Sequence, residues 1–185
     1  GSYVHPLASG VIEPRFDRMN IIDADALRNA VKEGAAGIGG VRGPVALLIP
    51  ETSAPVFVFR ADTVPRKQEE LASFIRWKLA KLVPGVAEDA LVSFDLKDQG
   101  SRVSIIAAAV KRAVVREYET VFEEEGLEPG FVSLPSLGIL NCHLREEGNV
   151  LLVNIESDHI SLIAMEDFTW AFYRQKTMNV MPGPE

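Results

Sequence analysis

Residues 103–130, VSIIAAAVKRAVVREYETVFEEEGLEPG, decide how this chain folds. The first eight are almost all apolar, which is typical of a central strand covered on both faces. The next stretch places apolar side chains at helical spacing, at Val114, Tyr118, Val121 and Phe122. Gly126 predicts the end of that helix, because glycine adopts the positive φ of a C-terminal cap without strain. A strand follows at Phe131–Leu134, so the stretch predicts a strand–helix–strand unit.

Two further strands are predicted upstream, at Val45–Ile49 and Val56–Arg60. The sequence ETSAP between them has the composition of a turn, so the two strands are predicted to form a hairpin. Helical spacing then runs from Pro65 to Leu82, about five turns. Residues 92–97 alternate apolar and polar side chains, which indicates a half-buried strand. The predicted order is therefore strand, strand, helix, strand, strand, helix, strand, a compact α+β unit.

The two ends of the chain add shorter elements. A short strand is predicted at Val4–Val11, and Asp23 is predicted to cap a helix that ends in the glycine-rich run at 34–43. A short helix over Pro135–Leu144 precedes three predicted strands, at 150–155, 159–165 and 169–174. Their spacing, with turn residues between them, predicts a meander.

Composition excludes several classes of protein. The formal net charge is −7 and no cluster of Lys and Arg appears, which argues against a nucleic-acid surface. The single cysteine, Cys142, excludes an intramolecular disulfide and indicates a reducing compartment. The longest apolar run is far shorter than the roughly 18–20 residues that a membrane-spanning helix needs. The first residues show no signal peptide, so we expect a cytoplasmic protein.

No set of side chains in the sequence completes a catalytic or metal site. Gly37–Gly40 closes a helix rather than opening one, so it is not expected to cradle a phosphate. Cys142 and His143 are sequence neighbours that cannot oppose each other as nucleophile and base, and Cys142 is expected to be buried and structural. His5 and His159 show no HxxxH or HExxH spacing. We therefore expect no catalytic residues, no metal and no enzymatic activity in this chain.

Four pieces of the segment from Pro44 to Leu144 resemble the PilM-type proteins of type IV pilus assembly. Those proteins belong to the actin-like group that includes the cell-division protein FtsA. The pieces, in chain order, are ALLIP at 46–50, the helix at 69–82 with its Trp, IIAAA and VREY within 105–118, and GLEP at 126–129. The resemblance implies an actin-like, ribonuclease H-like α/β fold fragment with an inserted FtsA/PilM-type strand–helix subdomain.

The same resemblance implies a domain division. A partial actin-like subdomain without its first strands would occupy 3–43, and the inserted α+β subdomain would occupy 44–134. Return strands of the actin-like subdomain would follow at 135–177, and a tail at 178–185.

The stretch VLLVNIESD at 150–158 looks like the second phosphate-binding motif of actin-like proteins, usually Asp-Ile-Gly followed by small hydroxyl residues. Here Asn154 replaces the Asp, Glu156 replaces the Gly, and Ser157 is followed by a second acid, Asp158. A carboxylate about 4 Å from a phosphate charge costs about 4 kcal/mol at an effective dielectric near 20, roughly a thousandfold in affinity. The family's cofactor is ATP, but this degenerate phosphate loop predicts neither useful ATP binding nor hydrolysis.

By resemblance, the function is that of a scaffold. PilM-type proteins lie in the cytoplasm at the inner membrane and hold the short cytoplasmic tail of a PilN-like membrane partner beside the inserted subdomain. An extended tail binds through sheet or groove contacts and needs no chemistry from its host. Three alternatives stay open. They are the cytoplasmic domain of a GspL-like type II secretion protein, half of an actin-like ATPase or sugar kinase, and a stand-alone dimerisation or ligand-binding module.

Overall fold

The computed structural model describes residues 2–83, 89–98, 100, 102–143 and 148–178. The α-helices are α1 Ala24–Gly37, α2 Gln68–Leu82, α3 Arg112–Glu124 and α4 Pro135–His143. The strands are β1 Pro44–Leu48, β2 Val56–Ala61, β3 Ala90–Asp98, β4 Val103–Lys111, β5 Glu128–Ser133, β6 Val150–Ile155, β7 His159–Glu166 and β8 Thr169–Thr177. The predicted order of elements from β1 to β5 is confirmed, and so are the short helix and the three C-terminal strands.

The described residues divide into two compact units. The first comprises those of Gly1–Ala54, Glu88–Leu91 and Val110–Pro135. The second comprises those of Pro55–Ala87, Val92–Ala109 and Ser136–Glu185.

In the first unit, β1 pairs in parallel with β5, and α3 packs against α1 and β5. The buried side of α3 carries Val114, Tyr118 and Val121, three of the four residues whose spacing predicted the helix, and the fourth, Phe122, is half-buried. Asp23 caps α1 as predicted, because its carboxylate accepts the Ala26 N–H at 3.0 Å. The glycine run ends α1, with Gly39 at a φ of +85°. No strand forms at Val4–Val11, where the chain is irregular.

The predicted hairpin of Val45–Ile49 and Val56–Arg60 is wrong. β1 pairs with β5, whereas β2 pairs antiparallel with β4. The connection is a 3₁₀ turn over Glu51–Ser53 with a proline on each side, Pro50 and Pro55. Proline has no N–H to donate to a strand ladder, so the two positions that would close a hairpin cannot form its hydrogen bonds.

The second unit contains two antiparallel three-stranded sheets, in the orders β2-β4-β3 and β6-β7-β8. β4 is the central strand of the first sheet and is mostly buried, as its apolar run predicts. Ile75 and Leu79 of α2 belong to the core of this unit. α2 begins at Gln68, later than the predicted Pro65, because Lys67 has an extended backbone and offers no side-chain cap.

Trp170, at the start of β8, ties the second sheet to the first. Its indole N–H donates to Asp95 of β3 at 3.1 Å, and its backbone carbonyl accepts the hydroxyl of buried Ser104 of β4 at 2.5 Å. Trp170 is 5% exposed. Both polar contacts satisfy groups that would otherwise lose water on burial, so they fix the start of β8 against β3 and β4.

Candidate functional sites

The turn between β6 and β7 contains the four residues of the predicted degenerate phosphate loop. Asn154 donates a side-chain N–H to Oε1 of Glu156 at 2.8 Å. The backbone N–H of Glu156 donates to the carbonyl of His159 at 2.9 Å and closes the turn. Ser157 and Asp158 are exposed at its tip. The structure therefore places all four residues in one turn, where the backbone N–H of Glu156 already has a hydrogen-bond acceptor.

His159 completes this turn, although the predicted phosphate loop does not include it. The imidazole is 2% exposed, with Nδ1 at 2.8 Å from Oδ1 of Asp158 and Nε2 at 3.4 Å from Oε1 of Glu156. The burial pattern of β7 explains why this histidine is buried, because alternate residues from His159 to Met165 face inward. The sequence does not reveal this, because the residues of the less buried face, Ile160 and Leu162, are apolar while His159 and Ser161 are polar.

The buried face of this sheet carries a polar row next to His159. Ser161 lies opposite Asn154 of β6 on one side and opposite Gln175 of β8 on the other. Ser161 is completely buried. Among the described residues, neither its hydroxyl nor Nε2 of Gln175 nor Nε2 of His159 has a hydrogen-bond partner. Buried polar atoms without partners are rare in folded proteins and mark a place where a water or a ligand belongs.

The charge of this turn decides what it can bind. Glu156 and Asp158 each place a carboxylate oxygen within 3.4 Å of the imidazole of His159. Two carboxylate oxygens this close together attract a cation and repel a phosphate. The arrangement fits a cation better than a nucleotide.

A second candidate site is a surface pocket of about 400 Å³ in the second unit. Its lining includes the cations Arg60, Lys78 and Arg102, together with Asp62 and Phe74. Nε of Arg102 lies 3.4 Å from Oδ1 of Asp62. This part of the molecule is richer in cations than the chain as a whole. Residues 55–87 and 92–109 contain eight Lys and Arg against five Asp and Glu, whereas the chain carries −7.

Trp77 lies beside this pocket on α2 and is 51% exposed. Its ring centroid is 6.2 Å from that of Phe74, which lines the pocket. Nζ of Lys81 lies 3.8 Å from the Trp77 centroid, and Nζ of Lys78 lies 5.5 Å from it. An exposed tryptophan flanked by cations is an unusual surface feature that is enriched at binding hot spots.

A buried polar cluster in the first unit serves the fold rather than a ligand. The carboxylate of Glu117 accepts the backbone N–H of Asn20 at 2.6 Å and that of Ile21 at 3.1 Å. The side-chain oxygen of Asn20 accepts the hydroxyl of Ser53 at 2.6 Å. Burial, followed by the charge of Glu117, raises the pKa of Tyr118 well above its ordinary value. Every group named here has a protein partner, so the cluster anchors the segment before α1.

The expectations for cysteine and for membrane segments have clear outcomes. Cys142 is exposed, so the prediction that it is buried is wrong. It lies on α4, whose short apolar sequence does not reveal which side faces out. The side chain of His143 lies outside the described part of the structure. Among the described residues, no helix is long and apolar enough to cross a membrane.

Comparison with known proteins identifies the fold. The sequence matches no protein-family model and no curated protein. The structure is similar to one chain of the PilM–PilN type IV pilus biogenesis complex, with a TM-score of 0.76 and 18% identity over 94% of this chain and 53% of that one. The chain has a PilM-like fold. The predicted resemblance and the predicted fold class, an actin-like α/β fragment, are confirmed at the level of fold.

A second similar structure is the cytoplasmic domain of EpsL, an inner membrane component of the type II secretion system of Vibrio cholerae. That match has a TM-score of 0.52 and 13% identity, and it covers 82% of this chain and 56% of that one. A Bacteroides thetaiotaomicron protein with an actin-like ATPase fold and unknown function matches at a TM-score of 0.46 and 12% identity, over 85% of this chain and 56% of that one. This chain spans about half the length of each of these three structures.

Proposed function

We propose that this chain is part of a cytoplasmic scaffold of type IV pilus biogenesis that binds the cytoplasmic tail of a PilN-like inner-membrane protein. The observation that carries the proposal is the PilM-like fold over 94% of the chain, in a protein whose solved relative is a PilM–PilN complex. Such a scaffold acts at the membrane through its partner and needs no membrane-spanning segment of its own. An extended tail is bound by main-chain contacts and side-chain pockets, without catalysis.

The pocket in the second unit supplies a docking surface of the required kind. Trp77 offers a large apolar face at low conformational cost, and Lys78 and Arg60 offer charged hydrogen-bond donors next to it. A tail that presents an apolar side chain followed by a carboxylate, or its own backbone carbonyls, would fit this combination. We therefore place the docking of the tail at the pocket and the adjoining face of α2.

We also infer that the chain neither binds ATP usefully nor hydrolyses it. Glu156 stands where the phosphate motif of actin-like proteins has glycine, and Asp158 adds a second carboxylate at the same turn. The backbone N–H of Glu156 already donates to the carbonyl of His159, so this turn has one fewer N–H group available to bind a phosphate. Titration with a fluorescent ATP analogue tests this inference, and saturable micromolar binding would contradict it.

Fluorescence anisotropy tests the tail-binding proposal. A labelled peptide from the N-terminal cytoplasmic tail of the candidate PilN-like protein is titrated with the wild-type chain, Trp77→Ala and Lys78→Glu. We expect saturable micromolar binding by the wild type and at least a tenfold loss in both variants, since a hot-spot truncation costs about 2 kcal/mol or more. Phe172→Ala is the matched control, because Phe172 is an exposed aromatic residue on β8 at 42% exposure.

The outcomes separate the two parts of the proposal. Equal loss in Phe172→Ala would show that the pocket is not the docking surface. No binding by the wild type up to millimolar protein would contradict tail binding itself.

The likeness to EpsL supports a second candidate, a cytoplasmic domain of a type II secretion protein. The lower TM-score, 0.52 against 0.76, makes it the weaker of the two. The resemblance implies that GspL-like proteins continue into a membrane-spanning helix, whereas PilM-like proteins do not. A membrane-spanning helix encoded downstream in the same gene would therefore favour the secretion protein.

A further inference from the structure

We propose that His159 and Glu156 bind a divalent transition-metal ion of the zinc class at the β6–β7 turn, with Nε2 and Oε1 as its ligand atoms. The absence of HxxxH and HExxH spacings predicts no metal in this chain, but those spacings describe ligands on helices and not ligands on a strand turn. The proposal concerns a different ligand from the tail of the proposed function and stands independently of it.

The hydrogen bond to Asp158 fixes the tautomer of the His159 imidazole. Oδ1 of Asp158 lies 2.8 Å from Nδ1 of His159. An ionised carboxylate only accepts hydrogen bonds, so Nδ1 carries the proton and donates it to Asp158. Nε2 of the neutral ring then holds a lone pair. A histidine held this way by a carboxylate is the usual arrangement of a metal ligand, since the outer hydrogen bond fixes the ring and raises the basicity of the ligating nitrogen.

The lone pair on Nε2 of His159 faces the carboxylate of Glu156. Oε1 of Glu156 lies 3.4 Å from Nε2, and Nε2 has no hydrogen-bond partner among the described residues. A lone pair and a carboxylate oxygen are both acceptors and repel each other at that distance. His159 is 2% exposed, so bulk water does not separate them. A cation bound to both atoms removes the repulsion and satisfies both acceptors.

The distance between Nε2 of His159 and Oε1 of Glu156 fits a shared metal ion. Tetrahedral zinc with bonds of 2.0–2.2 Å to nitrogen and oxygen holds any two of its ligand atoms about 3.4 Å apart. The separation of Nε2 and Oε1 is 3.4 Å. The side-chain N–H of Asn154 donates to Oε1 of Glu156 at 2.8 Å, and a hydrogen bond of this kind orients a ligating carboxylate in metal sites.

The polar row beside the turn also contains buried atoms without partners among the described residues. The hydroxyl of Ser161 and Nε2 of Gln175 are buried on the same face of the sheet and have no partner among the described residues. Nε2 of Gln175 is a donor and needs an oxygen to accept its proton. A water in this row would supply such an oxygen.

The test is isothermal titration calorimetry of the EDTA-stripped chain with Zn²⁺, in a Cys142→Ser background so that the exposed thiol cannot bind the metal. We expect one site, together with a rise in the Tm of unfolding on adding Zn²⁺. His159→Gln and Glu156→Gln should each weaken binding at least tenfold. Asp158→Asn should weaken it by about 10–100-fold, because Asp158 orients the ring of His159. Co²⁺ should give the absorption bands of a tetrahedral nitrogen and oxygen site in the wild type but not in His159→Gln.

His5→Gln is the matched control. His5 also lies beside a carboxylate, with Nδ1 at 3.2 Å from Oε2 of Glu33, but its side chain is partly exposed. Its removal should leave zinc affinity unchanged. Circular dichroism shows which variants fold, and Glu156→Gln, which removes charge without changing size, decides the question if His159→Gln does not fold. Zinc affinity that is unchanged in Glu156→Gln would overturn the proposal. No zinc binding by the wild type would also overturn it.

Discussion

Replacing Glu117 by alanine should destabilise the first unit by about 3–4 kcal/mol. The Glu117 carboxylate accepts two backbone N–H groups, those of Asn20 and Ile21. A hydrogen bond to a charged group contributes about 1.5–3 kcal/mol, so two contribute about 3–6 kcal/mol. Asn20 is completely buried and its amide would have no water to replace the carboxylate, whereas Ile21 is half-buried and its amide would regain some. The lower part of the range therefore applies.

Two substitutions calibrate this effect. Glu117→Gln keeps the size of the side chain and one acceptor for Asn20, but it presents its own N–H₂ group to Ile21, so we expect about half of the loss. Glu123→Ala removes a carboxylate from the same helix that forms only an exposed ion pair with Arg116 at 3.0 Å. Exposed pairs contribute about 0–1 kcal/mol.

The measurement is urea unfolding followed by far-UV circular dichroism, with native-state hydrogen exchange of the α3 amides as the local readout. The free energy of opening for those amides should fall in the order wild type, Glu123→Ala, Glu117→Gln, Glu117→Ala. If Glu117→Ala falls within 1 kcal/mol of Glu123→Ala, the carboxylate does not hold the segment before α1.

Two other predictions concern packing and pH. A Cβ at Gly130 would lie 2.7 Å from Cβ of Pro44, so Gly130→Ala should destabilise the β1–β5 pair by about 1–3 kcal/mol in urea unfolding. Gly34 has open space around it, so Gly34→Ala should leave the free energy of unfolding unchanged or slightly higher. Equal effects of the two substitutions would contradict the contact between Gly130 and Pro44. The pKa of Tyr118 is raised above its ordinary value of 10.0, so the stability it contributes is complete below pH 10 and is lost as the pH rises above that value. The free energy of unfolding should therefore decline above pH 10 less steeply in Tyr118→Phe than in the wild type, and identical slopes would exclude burial of that hydroxyl.

The sequence predicted the elements well because their signals are local. The apolar run of β4 reflects burial of both faces of the strand, and the helical spacing of α3 and the alternation of β3 each reflect burial of one face; all three elements formed as expected. The pairing of β1 was not predictable in this way. Its partner, β5, comes after α3 in the chain, and only the tertiary fold brings the two together.

The candidate site at the β6–β7 turn could not be predicted from the sequence for a different reason. Glu156, Asp158 and His159 lie within four consecutive residues, but a motif search based on helical spacing does not consider a strand turn. Their significance depends on the burial of His159, which the polar and apolar residues of β7 do not predict, and on which ring nitrogen faces which carboxylate. The exposure of Cys142 depends on the orientation of α4, which a short apolar helix does not encode.

The positions of the two tryptophans determine which parts of the molecule tryptophan fluorescence can monitor. Trp77 and Trp170 both belong to the second unit, one half-exposed between cations and the other buried with its indole N–H on Asp95. Emission from Trp77 should be red and easily quenched by acrylamide, and emission from Trp170 should be blue and protected. A tryptophan signal is therefore blind to the first unit, where tyrosine absorbance has to serve instead. A docked tail would shift one emission band and leave the other as an internal standard.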